Sequence, residues 1–176
     1  MLWFLIIGIA IAVILVFIYG YNRIVTLEKN VEQAWADIDV QLERVSELFP
    51  NLMNAIKGSA RFEKSVLENI AKAHTELIKA MSSKDVEKKV KAANKFLGFF
   101  VPIVYQIPQY PDLKTTTSFK ELLDKINVAI DKIAYARQFY NQAVKDYNAF
   151  VASIPWVLFR KQQKSYFEYQ KLKDKR

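Results

Sequence analysis

The residues able to do acid–base or metal chemistry are few, and their spacing does not bring them together. His74 is the lone histidine and cysteine is absent, which excludes thiol nucleophiles, disulfides and thiolate metal sites. Three and four residues to either side of His74, where a helix would place its neighbours, stand Ile70, Ala71, Leu77 and Ile78. The Glu-x-x-His pair of di-iron bundles is missing because Ala71 occupies the glutamate position. His74 therefore reads as a packed or surface imidazole. Asp37 and Asp39, two apart, fall on different helix faces. Glu28/Glu32 and Glu43/Glu47 share faces and read as solvated acidic ridges, as Lys84, Lys88, Lys89, Lys91 and Lys95 read as a wet basic face. Neither a Gly-rich phosphate loop nor a G-x-S-x-G elbow occurs. No catalytic, cofactor-binding or metal-ligating residue is assigned, and the expectation is a protein that is not an enzyme.

What remains is charge and amphipathicity. The net charge of +8 is uneven: residues 1–82 carry 8 Lys and Arg against 9 Asp and Glu, whereas residues 156–176 alone carry 7 against 2. A pI near 9.5 without any recognition motif argues against nucleic acid as the partner. The segment Ile154-Pro155-Trp156-Val157-Leu158-Phe159-Arg160-Lys161 joins apolar and aromatic residues to cations, a combination suited to a membrane surface. Trp156, Phe159, Arg160, Lys161 and Lys164 are the membrane-interface candidates; a plug at the end of the fold is the competing role. Tyr-Asn recurs at Tyr21-Asn22, Tyr140-Asn141 and Tyr147-Asn148, where side-chain amides could fix register across an interface.

The elements that must carry these residues are helices. Leu2 to Ile18 holds no charge, and Leu2 to Tyr19 as a helix would span roughly 27 Å, close to the ~30 Å hydrocarbon core. Trp3 and Tyr19/Tyr21 stand where interfacial aromatics belong. The absence of a basic n-region and of a small-x-small site makes a retained anchor the expectation rather than a cleaved signal. Arg23 and Lys29 follow the span and no Lys or Arg precedes it, which predicts an N-terminus outside and a cytoplasmic body.

Apolar residues then recur in steps of three and four. A first stripe runs from Ile24 through Leu27, Val31, Trp35, Ile38, Leu42 and Val45 to Phe49. A second runs from Leu52 through Ile56, Phe62, Val66, Ile70 and Leu77 to Met81. A third, from Val86 to Val104, fades near Pro102, with a helix start at Ser82-Ser83-Lys84-Asp85. Pro108-Gln109-Tyr110-Pro111-Asp112 reads as a loop, and Ser118-Phe119-Lys120-Glu121 has the capping-box form. The last stripe extends from Phe119 through Leu122, Ile126, Ile130, Ile133, Tyr140, Val144, Tyr147 and Val151 to Ile154. Pro50 is either a turn, giving an even number of soluble helices and a tail back at the membrane, or a kink, giving three helices and a tail pointing away.

The chain resembles the LemA family. The likeness is carried by Tyr21-Asn22-Arg23-Ile24-Val25, Ala34-Trp35, Ile38-Asp39-Val40-Gln41-Leu42, Leu48-Phe49-Pro50-Asn51-Leu52, Lys57-Gly58, Tyr110-Pro111-Asp112-Leu113-Lys114, Ala136-Arg137, Tyr140-Asn141, Ala143-Val144, Asp146-Tyr147-Asn148 and Tyr166-Phe167-Glu168. Val45, Phe62, Ile130 and Ser165 depart from the basic residue, histidine, glutamate and proline usual at those places. The resemblance implies a bacterial inner-membrane protein with an N-terminal anchor and four helices, and no established activity. It also brings associations with magnetosome membrane formation and with a membrane protease.

The expectation is thus an all-α protein, an N-terminal transmembrane helix continuing into an antiparallel four-helix bundle. Residues 1–20 would form the anchor, 21–155 the bundle and 156–176 a basic aromatic tail. The expected function is a non-catalytic membrane scaffold or recruiter of partners, with the lipid bilayer and further copies of the chain as partners and no cofactor. The alternative is a helical-bundle sensor for a small ligand or peptide, which would need a polar, concave pocket between helices.

Overall fold

Large apolar side chains every three or four residues demand helices that bury one stripe each. The computed structural model describes residues 1–57, 62–107, 117–159 and 161–168, and within them the chain forms four α-helices, a short 3-10 helix and an extended C-terminal segment. Helix α1 (Leu2–Ile56) is continuous for 55 residues. Up to Tyr19 it is exposed on every side, with a mean hydropathy of 3.0 over the most apolar stretch, as a span facing lipid would be. From Ile24 onward the same helix buries the expected stripe, Trp35 among it at 2% exposure.

Helices α2 (Lys64–Met81), α3 (Val86–Gln106) and α4 (Thr117–Ala152) complete the antiparallel bundle. The order is read from their ends. Met81 and Ser82 at the end of α2 lie beside Ala36 and Val40, and Lys89 at the start of α3 pairs with Asp39. Phe100, late in α3, meets Phe49, and Phe119 at the start of α4 lies beside Leu48 and Ala55. The chain just past α4 meets Gly20. Along α4 the buried residues Phe119, Leu123, Ile126, Ile130, Ile133, Tyr140, Val144, Tyr147 and Val151 follow a seven-residue repeat, the pattern that keeps a seam facing a neighbouring helix.

Several boundaries differ from those the sequence predicts. Pro50 and Pro102 both lie inside helices, α1 and α3, so neither is a boundary. The expected second stripe is two pieces: Leu52 to Ile56 finishes α1, and α2 begins only at Lys64. The helix number is even although Pro50 is not a turn. Asp85, not a serine, caps α3, its carboxylate accepting from the Glu87 N–H at 3.0 Å. Ser118 sits within the first turn of α4 rather than at its cap. Ile154, expected to close the last stripe, is 88% exposed. The predicted loop at Pro108–Asp112, with Gly58 and Lys114, lies outside the described residues.

Pro50 has no N–H for the carbonyl four residues earlier, that of Ser46, and α1 continues past it. The His74 ring on α2 stacks on Phe49, centroids 4.0 Å apart, and leans on Phe96 at 5.5 Å, and its buried Nε2 meets no hydrogen-bond partner among the described residues. Burial lowers the imidazole pKa and the nearby Ser46 backbone offsets only part of that. The packed histidine is thus biased toward its neutral form by the aromatic cluster around it.

Two of the four helices are short. At about 1.5 Å per residue, α2 and α3 span roughly 27 and 31 Å, whereas α4 spans about 54 Å. The α2–α3 hairpin therefore covers only the distal half of the α1–α4 pair, and the half nearer the anchor needs another cover.

Candidate functional site

That cover is the extended segment 161–168, which runs back along α4 toward the hairpin. Asn141 and Asn148 are seven residues apart, two helical turns on one face, and each amide engages the main chain of the segment twice. Asn148 Nδ2 donates to the Lys164 carbonyl at 2.9 Å and its Oδ1 accepts from the Lys164 N–H at 2.7 Å. Asn141 does the same at Phe167, at 3.1 and 2.8 Å. The register follows from geometry, because seven helical residues rise about 10.5 Å and three extended residues advance about 10 Å. Two side-chain amides thus act as one edge of a β-ladder.

The preceding tyrosines complete the seat. Tyr140 donates to the Ser165 carbonyl at 3.1 Å; burial and the Glu87 charge push its phenol well above the ordinary range, so it remains protonated. The Tyr147 ring lies 5.3 Å below the Lys164 ammonium, a cation–π distance. Phe167 is fully buried with its ring edge-on to Trp35 at 5.5 Å, and Trp35 meets Tyr140 at 5.3 Å. Glu87 from α3 accepts the Ser165 N–H at 2.7 Å. A proline, which the family resemblance leads one to expect at Ser165, would have no N–H to offer there.

Glu28 closes the arrangement from α1, accepting from Lys164 at 3.0 Å with Lys161 at 4.0 Å. Burial by itself would raise its carboxyl, but the hydrogen bond from Lys164 and the charges of Lys164, Lys161 and Lys29 outweigh it and hold the pKa below its ordinary value. The sequence reading of Glu28 as solvated is therefore corrected. Part of the Lys84–Lys95 face is likewise engaged: Lys89 pairs with Asp39 across to α1, and Lys95 bridges to Glu76 of α2 at 2.7 Å.

Beneath the segment lies the 3-10 helix Trp156–Phe159. Trp156 turns into the protein, stacked on Phe150 at 5.5 Å and edge-on to Phe17 of the span at 6.3 Å. Its six-membered ring fills the space that a Cβ on Gly20 would need, the reason only glycine serves at this point of α1. Ile154, Val157 and Leu158 project outward at the same level, 88, 48 and 72% exposed. Of the predicted interface residues, then, Trp156 packs on the anchor and Lys161 and Lys164 face Glu28. The Phe159 side chain and Arg160 lie outside what is described. The sequence signal for this region was the heptad spacing of Tyr-Asn together with a glycine at the end of the span.

Among the described residues no group of three or more His, Asp or Glu is placed to hold a metal ion. The grooves at Ala36–Ser82 and at Val40–Phe139 are open to the surface, while the stripes between helices are packed together. Val45 and Ile130, where the resemblance leads one to expect charged side chains, are buried in that core.

The LemA family model matches residues 34–176, from just before Trp35 through the whole C-terminal segment. The chain belongs to the LemA family. As a LemA-family protein it is similar to magnetosome proteins MamQ 1 and MamQ 2 of Paramagnetospirillum magneticum, each 22% identical over 169 residues, covering 83% of this chain and 62% of the relative. Magnetosome protein MamQ of Magnetospirillum gryphiswaldense is 20% identical over 172 residues with the same coverage. The chain thus spans about 62% of the length of the curated relatives it matches. Family and apolar helix together fit a membrane-associated protein.

Proposed function

We propose that this LemA-family chain is a membrane-standing scaffold that shapes or organises the bilayer holding it. The observation that carries the reading is the rigid joint at the membrane end. The span and the bundle are one helix, and Trp156 wedges against Gly20 and Phe17 so that α4 is fastened to the top of the span. Such a joint fixes the angle between bundle and anchor, and with it the depth of whatever surrounds the joint. On this reading residues 1–20 hold the bilayer, residues 21–155 stand on it, and the tail from residue 156 is its foot. Ile154, Val157 and Leu158 then enter the interface of one leaflet beside Tyr19 and Tyr21, where apolar side chains leave water. Residues that occupy one leaflet and not the other favour bending, which agrees with the naming of the relatives as magnetosome proteins. Arg23 and Lys29 support a cytoplasmic bundle.

The test is reconstitution of the full chain into giant vesicles at rising density. Wild-type protein is expected to deform or cluster the membrane, and Leu158→Asp, anchored equally well, is expected not to. A fluorophore on Leu158→Cys, in a chain otherwise free of cysteine, should report an apolar environment. Vesicles unchanged by wild-type protein, or a label in water, would refute the proposal.

A further inference from the structure

The seat of the C-terminal segment is built to read an extended chain, and most of what it reads is backbone. Asn141 and Asn148 take both main-chain groups of two residues, Tyr140 takes a third carbonyl and Glu87 a further N–H. Side-chain selection is limited to two anchors: a cation between Glu28 and the Tyr147 face, and an aromatic ring three residues later beside Trp35. The site is therefore a peptide-binding cleft for an extended segment of the form cation-x-x-Phe, occupied here by the chain's own residues Lys164 to Phe167.

We propose that this cleft also accepts the same segment from a second copy, so that neighbouring molecules exchange C-terminal segments on the membrane. Three observations point to that occupant. The segment has no regular secondary structure and is held through contacts that an identical segment reproduces atom for atom, so exchange keeps the contacts in the cleft and costs only the short 3-10 turn before it. Its lead-in residues Lys161, Gln162 and Gln163 are exposed, and Trp156 can keep its place on Gly20 while the segment moves. Opening the 3-10 turn after Trp156 frees residues 157–163, which extended span at most about 23–25 Å, enough to cross to an adjacent bundle whose helices are each about 10–12 Å thick. A shared bilayer also keeps copies upright with their clefts at one height, which raises the local concentration of the donated segment. The inference deepens the scaffold reading by supplying the link between copies; it rests on that reading only for the crowding, and its test does not involve membrane shape.

Two differently tagged chains are co-expressed in membranes and one is recovered in mild detergent. The first lacks residues 161–176 and so offers an empty cleft; the second carries Asn141→Ala and Asn148→Ala and so offers a freed segment. Recovery of the second with the first is expected to exceed, by roughly tenfold or more, that seen when the first also carries both alanines, since four hydrogen bonds are then lost. Phe167→Ala in the donor and an excess of a synthetic peptide of residues 161–168 should each abolish it. The wild-type full-length chain as donor needs no substitution and must show the same dependence, which guards against a donor that fails to fold. Recovery no better than the control overturns the proposal. Recovery indifferent to the cleft substitutions also overturns it, because the copies would then be meeting elsewhere.

Discussion

The two halves of the bundle solve the same problem in different ways. In the distal half, α1 is covered by other helices, and Phe49, Phe96, Phe100 and His74 form an aromatic cluster held by ring contacts. In the half nearer the anchor, α1 and α4 are covered by an extended segment without a stripe of its own, and amides, a carboxylate and a tyrosine hold its main chain. Helices carry their own backbone hydrogen bonds and ask neighbours only for apolar contact, whereas an extended segment brings unpaired N–H and C=O groups that must be met. The difference teaches that the polar residues of α4 are placed where the cover changes from helix to strap.

The largest effect should come from removing a large ring in each half. Trp35→Ala and Phe96→Ala are each expected to destabilise by about 3 to 5 kcal/mol in denaturant melts. Only Trp35→Ala, which takes away the wall of the Phe167 seat, should also open residues 161–168 to protease under native conditions. Equal protection of the strap in both variants would mean that the halves are not separate in the way described.

A smaller effect isolates the histidine of the distal half. His74→Phe keeps a ring against Phe49 and Phe96 and removes a buried imidazole nitrogen without a partner among the described residues, so at neutral pH it should leave stability unchanged or raise it by about 1 kcal/mol in denaturant melts. A clear loss would mean that the imidazole carries a polar contact that the cluster needs.

The smallest effect is that of pH, and the halves should respond in different ranges. Burial depresses the folded-state pKa of His74, so as pH falls below 6.5 the unfolded chain takes up a proton that the folded chain refuses. Stability is full above that value and declines until the depressed pKa is passed; His74→Phe should flatten this decline in melts compared between neutral and mildly acidic buffer. Glu28 is also depressed, so its contribution is full above 4.5 and is lost as pH falls through its lower folded value. Hydrogen exchange should therefore show the strap loosening only at the more acidic pH. Loosening of the strap while the pH is still above 4.5 would contradict the pairing of Glu28 with Lys164.

Much of the helical framework was legible beforehand because periodicity is a local property. The stripe from Ile24 to Phe49 is buried as read, and so is the last stripe except that Leu123 takes the place of Leu122 and Ile154 is exposed, since a residue's face depends mainly on its position along its own helix. Turns were less legible: Pro50 and Pro102 suggested boundaries, yet packing on both sides sustains the helix beyond them. At the candidate site, the recurrence of Tyr-Asn suggested amides that fix register at an interface but not what they would hold.

By itself the sequence determined an apolar anchor, long amphipathic helices, the lack of thiol chemistry and the family. Each of these follows from composition, from spacing within one helix or from a run of matching residues. Only the tertiary structure decided that Trp156 faces Gly20, that Glu28 meets Lys164, that His74 stacks on Phe49 and that residues 161–168 take the place of helices beside the anchor. Those pairings join residues as far as 136 positions apart, or set an extended chain with no period against a helix. No local pattern encodes such a meeting, because it is fixed by the lengths of the other helices and by the polar groups they leave uncovered.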